Sequence, residues 1–301
     1  MTKPLFTGLC TALVTPFLDG DVNYPMLEVL IRRQMDAGVE AIVLAGTTGE
    51  SPTLTAEEKL EIFRVGVKTA GGRCRIIAGT GSNCTSSAVE MSRAAARTGV
   101  DALLVVTPYY NKTTQTGLVK HYRAICDAVP IPVMGYNVPS RTGMGIDPAT
   151  CRELARIPNF AGIKEASGDL SRAMRMMEHL PLWSGNDDQT VALMAMGACG
   201  VISVASNVAP EAMNTMVRTA LAGDYALAAV LQRRLMPLMD LLFCQVNPIP
   251  VKAAMQIIGF DCGACRMPLD ELTAENAAKL QVALDELGIR TYNVRISNKV
   301  S

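Results

Sequence analysis

The segment RIIAGTGSNCTSSAVEMSRAAARTGVDALLVVTP, residues 75–108, decides the fold. Its two short runs, RIIAGTG (75–81) and ALLVVTP (102–108), are largely apolar instead of alternating, as strands of a parallel sheet covered on both faces are. Between them, TSSAVEMSRAAARTG (85–99) places apolar residues at three- and four-residue intervals and ends in glycine, the pattern of an amphipathic helix. Strand, helix and strand together make one βαβ unit.

The same beat continues in both directions. Strand-type runs recur at GLCTALVTP (8–16), AIVLAG (41–46), IPVMGYN (131–137), FAGIKEA (160–166), LPLWSG (180–185) and GVISVAS (200–206). Helical stretches such as YPMLEVLIRRQMDAG and TAEEKLEIFRVGVKTAGG separate them, the latter opening on a capping box of Thr55 and Glu58. Eight strand–helix units in little more than 200 residues predict an α/β chain folded as a (β/α)8 TIM barrel. Beyond Ala205 the chain is helix-forming with no convincing strand. Residues 1–223 therefore read as the barrel catalytic domain and 224–301 as a C-terminal helical segment. Met236, Met239, Met255 and Met267 read as gap-filling core.

Composition narrows the function. The 301 residues carry 28 basic and 28 acidic side chains, a balance that argues against a nucleic-acid partner. No run approaches the roughly 18 apolar residues of a membrane span, and MTKPLFTGLC lacks a signal-peptide layout, so a cytoplasmic location is expected. Nine scattered cysteines fit reduced thiols in such a compartment. The CGAC spacing of Cys262 and Cys265 lacks the further ligands a zinc site needs and reads as a turn. With only His121 and His179, a histidine-built metal site is not expected. His121 reads as an exposed or half-buried helix position, and His179 as the end of a helix before Pro181.

In a barrel, chemistry gathers at the carboxyl ends of the strands. That rim carries GTTGES (46–51), TPYYN (107–111), GYNVPSRTG (135–143), Lys164 and SGNDD (184–188), so Thr47, Thr48, Tyr110, Tyr136, Arg141 and Lys164 are expected to converge. Each has a plain alternative. GTTGES suits an ordinary turn, Tyr136 a core aromatic, and Arg141 a surface ion pair. Lys164 is harder to explain away, because an ammonium at the tip of a buried strand is costly to desolvate. In a barrel interior such an amine becomes a nucleophile that forms imines with carbonyls. It then needs a proton carrier, which Tyr136 on the adjacent strand suits, and an anion clamp. Lys252, in NPIPVKAAM, competes for the role but falls in the helical segment and reads as structural. Glu165 and Asp169 read as a strand exit and a helix start.

GTTGES, TPYYN, GYNVPSRTG, GIKEASGD, SGNDD, GVISVASN and NPIPVK, in this order, resemble the dihydrodipicolinate synthase family of the N-acetylneuraminate lyase superfamily, over Gly8 to about Gly288. The resemblance implies condensation of pyruvate with L-aspartate 4-semialdehyde in lysine (diaminopimelate) biosynthesis, with no cofactor beyond a covalent imine at Lys164. It implies that Tyr136 moves protons through Thr47 to Tyr110 of a neighbouring subunit. Thr47 and Thr48 would hold the pyruvate carboxylate, Arg141 the semialdehyde carboxylate, and the carbonyls near Gly185 and Ile202 would face the intermediate. A homotetramer built from dimers is implied too. A 2-keto-3-deoxy sugar acid aldolase of the same superfamily and a non-catalytic oxo-acid sensor are the competing readings. Where lysine-inhibited members carry a glutamate and histidines, this chain has Ser87, Ala56 and Lys59, so weak or absent lysine inhibition is expected.

Overall fold

The computed structural model describes residues 3–292 and 294. The strands are β1 (Gly8–Ala12), β2 (Phe17–Leu18), β3 (Asp21–Val22), β4 (Ala41–Leu44), β5 (Arg75–Gly79), β6 (Ala102–Val106), β7 (Val133–Asn137), β8 (Phe160–Glu165), β9 (Leu182–Ser184) and β10 (Gly200–Ser203). All but β2 and β3 close into one barrel of eight parallel strands, each paired with its predecessor in the chain and β10 paired back to β1. The (β/α)8 barrel expected from the sequence is therefore the observed architecture. Strands buried on both faces explain the apolar runs: their inner side chains fill the barrel and their outer ones meet the helices.

The helices are α1 (Tyr24–Asp36), α2 (Ala56–Ala70), α3 (Thr85–Ala96), α4 (Gln115–Cys126), α5 (Pro139–Thr142), α6 (Pro148–Leu154), α7 (Leu170–Met177), α8 (Thr190–Ala195), α9 (Pro210–Leu221), α10 (Tyr225–Leu241), α11 (Ile249–Ile257) and α12 (Ala274–Glu286). Their ends follow local chemistry. Thr55 and Glu58 form the reciprocal capping box of α2, which stops at Gly71 in the left-handed region. Asp169 caps α7 through the Arg172 amide, the helix-start role read from sequence. Helices α10 to α12 form the segment after the barrel; residues 293 and 295–301, also assigned to it, lie outside the described residues. Among the described residues no helix is long and apolar enough to cross a membrane.

Inside the barrel, Cys10, Ala41, Val43, Ile77, Ala102, Leu104, Met134, Trp183 and Ile202 pack together, and Phe6 stacks on Trp183 with ring centroids 5.0 Å apart. A cavity opens toward the carboxyl ends of the strands, where Thr47, Tyr136 and Lys164 border it. There the β2–β3 hairpin, too short to read from sequence, is pinned when the Phe17 amide donates to the Cys262 carbonyl.

Two expectations need correction. His121 is buried, at 4% exposure, because α4 packs against α3 and its Nδ1 meets Thr85 Oγ1 at 2.9 Å. Desolvation pushes its pKa down to about 4. Met267 is 82% exposed and fills no core. Its neighbour Arg266 is anchored to Glu50, Glu58 and Gly20, and Met267 turns outward. Met239 and Met255 are buried as expected, and Met236 packs on the core's edge. Cys262 is buried and Cys265 half-buried, both as free thiols in an irregular turn.

Candidate active site

Lys164 owes its position to the glycine two residues before it. Gly162 has φ +142°, and a Cβ there would lie 2.4 Å from the Pro181 carbonyl oxygen, so β8 can run this close to β9 only with glycine. The pairing of β7 with β8 shifts register at Val133/Met134, after which Tyr136 lies opposite Lys164 and Lys164 opposite Trp183. Lys164 is 5% exposed, with Nζ 4.4 Å from the centre of the Tyr136 ring. Among the described residues its ammonium has no hydrogen bond or carboxylate partner. Glu165 next to it is engaged elsewhere, accepting from Asn137 Nδ2 and from the Ser167 amide, each at 2.6 Å. It acts at the strand exit.

Lys252 presents the opposite case. Its Nζ donates to Glu50 Oε1 and to the Ala264 carbonyl, both at 2.9 Å, and both charged side chains are buried. Glu50 Oε2 takes the Arg266 amide at 2.8 Å. A lysine so engaged is structural, and the site's free amine is Lys164.

The loop that carries Thr47 and Thr48 follows β4. Ala45 and Glu50 take left-handed φ values of +48° and +58°, folding the loop so that the Glu50 amide bonds the Thr47 carbonyl at 3.1 Å. Opposite it, Gly79 leaves room: a Cβ there would stand 2.3 Å from the Ala45 oxygen. The amides of Thr47 and Thr48 donate to no backbone acceptor among the described residues, so two N–H groups and two hydroxyls remain to meet a carboxylate.

These elements surround a cavity of about 270 Å³ bordered by Thr47, Thr48, Tyr136, Arg141 and Lys164. Five of the sequence-selected residues thus meet in one place. Lys59, which the sequence singled out only for lysine inhibition, and Tyr109 of the TPYYN motif border it too. Its lining contains the cations Lys59, Arg141 and Lys164 and no Asp or Glu, so the cavity favours anions. Burial holds Lys59 below the usual lysine range. Gly185 and Ile202 do not border the cavity. Gly185 backs onto Lys164, where a Cβ would lie 3.0 Å from its Cε, and Ile202 sits in the barrel interior beside Tyr136 and Trp183. Tyr110 departs from the expected convergence: within one chain it is 91% exposed, has φ +70° and does not border the cavity.

The residue overlooked in the sequence is Asn247. It is buried, donates from Nδ2 to Thr48 Oγ1 at 3.1 Å, and accepts from Arg141 Nη2 at its backbone oxygen at 3.3 Å. It belongs to the NPIPVK motif that also holds Lys252, and nothing local marks an asparagine as reaching a loop 199 positions away.

Comparison with known proteins agrees with this geometry. A model of the dihydrodipicolinate synthetase family matches residues 5–287. A 4-hydroxy-tetrahydrodipicolinate synthase from Exiguobacterium sp. is 49% identical over 94% of this chain and 98% of its own. The pyruvate complex of the chloride-inhibited dihydrodipicolinate synthase from Acinetobacter baumannii superposes with a TM-score of 0.92 at 42% identity, covering 94% of this chain and 99% of that one. A monomeric dihydrodipicolinate synthase variant superposes with a TM-score of 0.93 at 38% identity, covering 95% and 98%. With a family model that matches residues 5–287 and relatives this similar over nearly the full length, the chain belongs to the dihydrodipicolinate synthetase family.

Proposed function

We propose that the protein is a 4-hydroxy-tetrahydrodipicolinate synthase, condensing pyruvate with L-aspartate 4-semialdehyde on the lysine (diaminopimelate) route. The observation that carries the reading is the contrast between two buried lysines: Lys252 is neutralised by Glu50, whereas Lys164 stands against Tyr136 with no ion-pair partner among the described residues.

In the proposed reaction, Lys164 Nζ attacks the pyruvate ketone, and water leaves as the imine forms. Loss of a methyl proton gives the enamine, whose carbon attacks the semialdehyde carbonyl while the aldehyde oxygen takes a proton. The semialdehyde amino group then attacks the imine carbon and expels Lys164, closing the ring. Tyr136 serves as the proton carrier, passing protons through Thr47 to Tyr110 supplied by a second copy of the chain. Thr47 and Thr48 hold the pyruvate carboxylate, Arg141 that of the semialdehyde. The carbonyls near Gly185 and Ile202 face the intermediate. No cofactor enters, because the imine itself stores the electron pair. The exposed Tyr110 supports an oligomer, proposed as a homotetramer built from dimers, in the cytoplasm.

The test is mass spectrometry after incubation with pyruvate and borohydride, followed by a coupled assay with the semialdehyde. One reduced pyruvyl group on Lys164, absent in Lys164→Ala, with turnover of the semialdehyde is expected. Pyruvate binding without an adduct overturns the reading in favour of a sensor. An adduct accompanied by cleavage of 2-keto-3-deoxy sugar acids and no condensation overturns it in favour of an aldolase.

A further inference from the structure

We propose that Asn247, supplied by the segment joining α10 to α11, is a positioning residue that turns the Thr48 hydroxyl into a donor toward the cavity and holds Arg141 beside it. The inference rests on the reading of Thr48 and Arg141 as carboxylate holders.

A hydroxyl has one hydrogen and two lone pairs, and a carboxylate only accepts. Whether Thr48 helps or hinders an anion therefore depends on where its hydrogen points. Asn247 Nδ2 donates to Thr48 Oγ1 at 3.1 Å, so the hydrogen of Thr48 has no use on that side. It remains available to an acceptor in the cavity that Thr48 borders. The same residue's backbone oxygen receives Arg141 Nη2 at 3.3 Å, which limits where that guanidinium can swing. Thr48 lies in the loop after β4 and Arg141 in α5 after β7, so Asn247 ties together two holders that the barrel itself supplies separately.

The cost of this arrangement is visible. Asn247 Oδ1 is buried with no hydrogen-bond partner among the described residues. An orphaned buried acceptor is destabilising, and a native structure retains one where the group's orientation serves something else. Here the amide spends its donor on Thr48. An aspartate of the same shape would accept from Thr48, turn its hydrogen away from the cavity and add a negative charge beside the anion site.

The experiment measures KM for each substrate, kcat and borohydride trapping of pyruvate in Asn247→Ala, Asn247→Ser and Asn247→Asp, with melting temperature as the fold control. The alanine variant is expected to raise the pyruvate KM about tenfold, the worth of one hydrogen bond to a charged group, with kcat changed less. The aspartate variant is expected to raise it further and the serine variant less. Adding Asn247→Ala to Thr48→Val is expected to weaken pyruvate binding little beyond the valine change alone. If the folded variants lose melting temperature yet keep both KM values within about twofold, Asn247 is merely structural and the inference is overturned. If one variant does not fold, the others carry the same comparison. A parent protein that traps no pyruvate overturns the functional reading as well; one that traps it normally while the variants bind it unchanged overturns this inference alone.

Discussion

Lys164 and Tyr136 face each other across the β7–β8 pair, with the amine 4.4 Å from the centre of the phenol ring. The ring therefore does two things at once: it covers the amine from solvent and brings a hydroxyl into the cavity that both residues border. Tyr136→Phe separates the two. The covering ring stays, so melting temperature is expected to hold, while loss of the proton carrier lowers kcat by about 100-fold or more in the coupled assay. A variant of near-parental kcat would remove Tyr136 from the proton path.

The buried Glu50–Lys252 pair ties the loop after β4 to α11. Removing one partner leaves a charge without compensation, so Lys252→Met is expected to cost about 3–5 kcal/mol by chemical denaturation. Adding Glu50→Gln to it restores part of the loss. Because Glu50 ends the Thr47–Glu50 turn, the single variant also raises the pyruvate KM.

Gly185 lies where a methyl group would stand 2.8 Å from Ala166 Cβ and 3.0 Å from Lys164 Cε. Gly185→Ala is expected to push the lysine stem aside and slow pyruvate trapping by about 100-fold while leaving the barrel folded. Circular dichroism and the rate of borohydride-trapped mass increase read the two effects separately.

His121 gives the fold an acid-sensitive element. Its folded pKa of about 4 lies below the ordinary 6.5, so between those values the unfolded chain binds the proton more readily. The histidine's full contribution is present above about pH 6.5 and is lost as pH falls toward 4. His121→Gln is expected to flatten denaturation midpoints across that window by the equivalent of about 3 kcal/mol.

Free lysine is expected to inhibit weakly or not at all. Lys59 borders the cavity, Ser87 offers no carboxylate, and a like charge beside an incoming ammonium is unfavourable. A steady-state titration that shows inhibition at submillimolar lysine would refute this.

The sequence by itself determined the barrel, because strands apolar on both faces and alternating with amphipathic helices have few other ways to bury those faces. It also indicated where the candidate site lies: Lys164, Tyr136, Thr47, Thr48 and Arg141 all lie at or just beyond the carboxyl ends of strands, and those ends share one rim. Only the tertiary structure decided which lysine is free. Lys164 and Lys252 both stand in apolar surroundings, and the carboxylate that neutralises one of them lies 202 positions away in Glu50. Asn247 and the buried state of His121 were hidden for the same reason. Pattern and periodicity report which face of an element is apolar, whereas a hydrogen bond between distant loops depends on where the closed barrel brings their ends.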